Sequence, residues 1–207
     1  MTSVSTWEFG RARRIVLPEP CYDTVVEHGR RKVAGRHLPG EPTLRRAFGL
    51  LAGVWDGPDT LRVMSVFPLA ESARNDPGTA EEVDEIYDAH AVSTSTPRHD
   101  RGWVARPEDV LRAQSVSDEE GWLLFGHYHT HRVPWPEDPY RDSCTAFDTA
   151  LAQDSGLWAF IVSLVDPGLP RVRAFYEGSL DREAHLGREP SPPAAAAGHR
   201  PPDVVDV

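Results

Sequence analysis

Residues 157–165, Leu-Trp-Ala-Phe-Ile-Val-Ser-Leu-Val, are almost continuously apolar, and this run limits the possible folds more than any other segment. A strand with one wet face alternates polar and apolar side chains, whereas a strand without alternation must be covered on both faces. Any sheet holding it therefore needs a layer on each side. Two further apolar runs, residues 47–55 and 61–69, flank Asp56-Gly57-Pro58-Asp59, which has the chemistry of a hairpin turn, so they read as paired strands. Residues 22–37 are rich in helix formers, set Val25, Val26 and Val33 toward one side, and end at the breaker Leu38-Pro39-Gly40. Residues 79–92 and 107–114 have helical composition, with a polar stretch between them that reads as a surface loop. Residues 142–154 place Ala146, Phe147, Ala150 and Leu151 on one helical face before Gly156. Residues 171–176 supply one more strand after the Asp166-Pro167-Gly168 turn.

These elements predict an α/β domain, a mixed β-sheet flanked by helices, over residues 20–185. Residues 1–19 read as an N-terminal extension. Residues 186–207, rich in proline and alanine and without an aromatic side chain, bury too little apolar surface to offset ordering entropy and are expected to be a disordered tail. With 207 residues the chain is too short for an eight-stranded α/β barrel, which takes about 250 residues. A net charge of −10 argues against nucleic-acid and anionic-membrane partners. No apolar run approaches the roughly 18 residues of a bilayer span, and residues 1–9 lack a signal core. Cys21 and Cys144 fit neither a disulfide framework nor a cysteine zinc site, so a cytoplasmic, reducing location is expected.

The chemistry concentrates in Gly126-His127-Tyr128-His129-Thr130-His131. Alternate residues of an extended strand share a face, so the three imidazoles project together. Two neighbouring imidazoles can reach one ion at roughly 2.0–2.1 Å, and a third protein ligand with water completes a catalytic zinc site. Asp148, near the start of the following helix, is the natural third ligand because the intervening loop lets the chain fold back over the strand end. Thr145 and Asp148 also read as a capping box, which needs no metal. The two roles are compatible, since each requires only one aspartyl oxygen.

At these residues the chain resembles the JAMM, or MPN+, family of zinc isopeptidases. That family's motif is His-x-His, a short loop, then Ser-x-x-Asp at a helix start, with a glutamate far upstream. The resemblance implies His129, His131 and Asp148 as Zn2+ ligands, and it extends to Phe48-Gly49-Leu50-Leu51-Ala52-Gly53, similar to the family's Gly-Leu-Leu-x-Gly strand. It implies a JAMM/MPN-like fold with cytidine-deaminase-like layering. Thr145 takes the serine position as oxyanion donor, with Ser143 as its rival. Strict motif spacing would instead select Pro139 and Asp142, but proline has no hydroxyl to offer. Arg46 stands where the family glutamate is expected, so the general base falls to Glu41, the nearest acid of the preceding loop, with Glu27 behind it. The implied activity is hydrolysis of an amide or isopeptide bond by metal-activated water. The implied substrates are the tail of a ubiquitin-like or sulfur-carrier protein, or a small-molecule amide. Arg46 equally suits a catalytically silent interaction module. A cupin-type metal oxygenase, with Glu137 as a further ligand, fits poorly because no histidine between positions 131 and 185 would close its site.

Overall fold

The structure, a computed structural model, describes residues 6–90, 97–131 and 142–190. Seven strands carry it: β1 (Arg14–Pro18), β2 (Phe48–Trp55), β3 (Thr60–Leu69), β4 (Leu123–His131), β5 (Trp158–Ser163), β6 (Arg171–Tyr176) and β7 (Glu183–Glu189). Four α-helices accompany them: α1 (Glu19–Val33), α2 (Thr79–His90), α3 (Pro107–Glu120) and α4 (Ala146–Ala152). The strands form a closed barrel in the order β1-β3-β2-β4-β5-β6-β7. Parallel pairings (β1 with β3 and β7, β4 with β5) mix with antiparallel ones (β2 with β3 and β4, β6 with β5 and β7).

This corrects the expected mixed sheet flanked by helices, with its JAMM/MPN-like, cytidine-deaminase-like layering, because the sheet closes on itself. Closure depends on the parallel pairing of Arg14 through Pro18 with His185 through Glu189. One of those strands lies in the supposed N-terminal extension, and the other straddles the start of the supposed disordered tail. Reading both segments as peripheral left the sheet with two open edges. Residues 191–207 lie outside the described residues.

The demand for cover on both faces of the sheet is met. Ile15, Leu17, Leu51, Val63, Phe125, Trp158 and Phe160 belong to the main apolar cluster, to which α1 adds Cys21, Val25 and Val26. The other face of β2 and β3 presents Phe48, Leu50 and Phe67 to α3, which contributes Ala113, Val110 and Val116. Ala159 and Ile161 of β5 meet Cys144 and Ala152 in a third cluster. All six residues of β5 are consequently buried. Gly49 is obligatory in β2, because a Cβ there would sit 2.3 Å from the Phe67 carbonyl oxygen and 2.5 Å from the Tyr128 ring.

One irregularity aims the histidines. Along the β2–β4 ladder Leu51 faces Gly126 but Ala52 faces Leu124, so Phe125 is an extra residue in β4. A bulge of this kind reverses the alternation of side chains beyond it. Phe125 and Tyr128 therefore share the main cluster, while Leu124 and His127 both line a cavity on the opposite face.

Candidate metal centre

Beyond the bulge, His127, His129 and His131 follow one another on the cavity face of β4. Helix α4 begins beside them. Thr145 caps it: its hydroxyl oxygen accepts from the Asp148 N–H at 3.2 Å, and its own N–H donates to Asp148 Oδ2 at 2.7 Å. The Thr145 hydroxyl also lies 2.7 Å from that oxygen and donates to it. Asp142, just upstream, accepts from the Ser163 hydroxyl and from Arg171 (3.0 Å), which ties the approach to α4 onto β5 and β6.

The capping box fixes Asp148 with Oδ1 3.1 Å from His129 Nε2 and Oδ2 3.3 Å from His131 Nε2. The two Nε2 atoms are 3.0 Å apart. One ligating atom from each of the three residues falls within 4.8 Å of the others, a grouping that could hold a metal ion. Tetrahedral bonds of 2.0–2.1 Å place neighbouring donors about 3.3 Å apart, so the observed spacings suit one small divalent cation. The donor chemistry also fits, as imidazole nitrogen and carboxylate oxygen are both ligands that zinc accepts. Asp148 thus serves both functions: Oδ2 closes the cap, and Oδ1 remains directed at His129.

Burial pushes the Asp148 carboxyl up, but the charge and hydrogen bonds of His129 and His131 together outweigh it and hold the group well below the usual carboxylate range. His127 is brought down to about 3, chiefly by burial and secondarily by the charge of His129. It is therefore a neutral wall residue at physiological pH, its ring edge against Trp103 with centroids 5.5 Å apart. Burial also pushes the Cys144 thiol up, far from a nucleophilic thiolate.

The other expected groups are placed differently. Glu41 is not on the cavity wall; it is clasped by Arg31, with Nη2 2.8 Å from Oε1, and accepts from the Leu38 N–H at 2.8 Å. Lys32 Nζ lies 3.7 Å away. The hydrogen bonds from Arg31 dominate and bring its carboxyl down to about 2, the opposite of what a general base needs. Glu27 pairs with Arg30 on the exposed side of α1. Ser143 is buried and absent from the cavity wall, and the Thr145 hydroxyl is committed to Asp148. For Thr145 the cause is that the helix start is organised around its cap. Pro139 and Glu137 lie outside the described residues.

Arg46 does reach the cavity. Ala47 exchanges hydrogen bonds with Thr130, and Phe48 faces His129, so the same register sets Arg46 across from His131. Its guanidinium donates to the carbonyls of Asp100 and Gly102 (2.6 Å for the latter). It fastens residues 100–102 over the site. Sequence reasoning missed this overlying segment, residues 97–106, because nothing local announces its partners. Asp100 is the other carboxylate among the described residues lining the cavity, which measures about 610 Å³. No described helix is long and apolar enough to cross a membrane.

No family model and no curated protein sequence matches the chain. Two solution structures are similar to it. One, from Salinibacter ruber, is 22% identical over 90% of this chain and 98% of that one with a TM-score of 0.40, too low to carry an argument. The other, from Desulfitobacterium hafniense, is 23% identical over 90% of this chain and 99% of that one with a TM-score of 0.56, and at that identity the likeness is one of fold alone.

Proposed function

We propose that the chain is a zinc-dependent hydrolase of an amide or isopeptide bond, with the His-x-His…Asp ligand order of the JAMM family. The observation that supports it is the convergence of His129, His131 and Asp148, with donor atoms 3.0–3.3 Å apart, on the wall of a cavity large enough for a substrate. Zinc bound there would act as a Lewis acid and lower the pKa of water from about 15.7 to about 7. In the overall reaction the water oxygen bonds to the acyl carbon, the C–N bond breaks, and the amine leaves with a proton. Thr145 works as a positioning residue, since its N–H and hydroxyl hold one Asp148 oxygen and leave the other directed at His129. The test is amide hydrolysis by zinc-loaded protein beside His129→Ala and Asp148→Asn. Loss of turnover in both variants is expected, and equal activity in all three overturns the reading.

A catalytically silent binding module is the second reading, favoured by Arg46 across from His131 and by the locked carboxylate of Glu41. It predicts bound zinc with no amide turnover.

A further inference from the structure

Besides the ligand trio and the Arg46, Asp100 and Arg101 edge, the cavity has a broad apolar wall that includes Leu44, Phe48, Leu50, Trp103, Val110 and Leu124. Trp103 stacks on Phe48 with ring centroids 5.1 Å apart and planes 12° from parallel. His127 meets the same indole edge-on.

The aromatic wall is fixed in advance. Arg46 grips the carbonyls on either side of Arg101, Arg74 donates to the Arg101 carbonyl at 2.8 Å, and the Ser72 hydroxyl accepts from the Val104 N–H at 3.0 Å. Gly102 adopts φ +68° in this clamp, where a Cβ would press the Phe147 ring at 3.0 Å. A wall already held in place loses little conformational entropy on binding.

We propose that this wall is a recognition slot for a planar aromatic acyl group, which makes the substrate of the hydrolase a small aromatic carboxamide instead of a protein tail. The inference rests on the hydrolase reading for the reaction, but not for the slot. A cavity of about 610 Å³ is of small-molecule size. Aromatic rings stack favourably against indole and imidazole. A glycine-rich peptide tail would instead bring backbone amides against Phe48 and Leu124, whose side chains offer them no hydrogen bonds. Polar contacts to the carboxamide come from the end of the cavity lined by Thr145 and the ligand trio.

The test is calorimetric titration of the full chain, with and without zinc, using benzamide and acetamide as probes. Benzamide is expected to bind at least tenfold more tightly than acetamide in both states. Trp103→Ala should erase that preference, and Trp103→Phe should keep most of it. Equal affinity for the two amides, or a preference unmoved by Trp103→Ala, overturns the slot. Zinc-dependent cleavage of benzanilide separates the two claims. Benzamide binding through Trp103 without such cleavage sinks the hydrolase and leaves the slot. Cleavage of a Gly-Gly isopeptide by a chain indifferent to benzamide does the reverse.

Discussion

On the barrel-facing side of β4, the Tyr128 hydroxyl lies 2.7 Å from His28 Nδ1, and beside that pair Arg31, Lys32 and Glu41 make ionic contacts with one another. On the opposite side, the Nε2 atoms of His129 and His131 lie 3.0 Å apart, with Asp148 Oδ1 3.1 Å from the first and Oδ2 3.3 Å from the second. Both groups gather titratable side chains out of water, yet their charge balance differs. Under α1 the carboxylate meets a guanidinium and an ammonium, so the acid is answered by two bases of the same chain. On the cavity side electron-pair donors converge on a common point, an arrangement that suits a cation from solution. Burial alone therefore does not mark a site; the marker is whether the donors point at each other's charges or at a shared centre.

The sharpest way to break this comparison is to remove one carboxylate from each side. Asp148→Asn should lower zinc affinity by more than about 100-fold, beyond the cost of losing an outer-shell partner, as read by competition with a chromophoric chelator. Its effect on the zinc-free protein's stability should be much smaller. An affinity within a few-fold of the parent would mean that the trio does not act as a ligand set.

Glu41→Gln should behave inversely. It strands Lys32, whose side chain is wholly buried, and removal of one member of a buried pair costs about 3 kcal/mol in denaturant unfolding. Zinc affinity should not change. The pH dependence follows from the carboxyl's descent from near 4.5 to about 2. Between those values the unfolded chain holds the proton that the folded chain lacks, so the contribution of Glu41 is complete above about pH 4.5 and disappears as pH falls toward 2. The variant should lack that part of the acid-side slope. Hydrolytic activity that collapses in Glu41→Gln while zinc binding and fold survive would restore Glu41 as the base.

Thr145→Ala touches the junction of fold and site. Losing the cap should cost about 1 kcal/mol of stability. Losing the hold on Asp148 Oδ2 should weaken zinc by about 10–100-fold. Thr145→Ser, which keeps the hydroxyl, should recover both, and recovery of stability without recovery of affinity would detach the cap from the metal.

These residues also show what a sequence can disclose. The β2–β3 hairpin was legible almost to the residue because Asp56 through Asp59 dictate a turn from local chemistry. The convergence of His129 and His131 was legible because period-two alternation is a property of any strand, and Asp148 because a helix start fixes its neighbours. Closure of the barrel was not. Ile15, Val16 and Leu17 make a run too short to stand out, and His185 through Glu189 carry no apolar alternation, so only their pairing with each other identifies either as a strand. The misplacement of Glu41 has the same origin. Its partners Arg31 and Lys32 lie on α1, and the return of the loop onto that helix is a tertiary event.

The smallest expected effect examines the claim that the barrel-facing group is self-contained. Tyr128→Phe removes the hydroxyl facing His28 Nδ1 and leaves the ring packed, so the loss should be about 1 kcal/mol, the net worth of one buried hydrogen bond. Burial already brings His28 down to about 3, so it is neutral near pH 7 and its stranding adds no buried charge. If Tyr128 served the metal from behind the strand, the variant would shift zinc affinity along with stability. Because Tyr128 and His129 point to opposite faces, the affinity should remain within twofold while the unfolding midpoint falls. A larger change in affinity would mean that the two faces of β4 are mechanically coupled and that the contrast drawn between them is false.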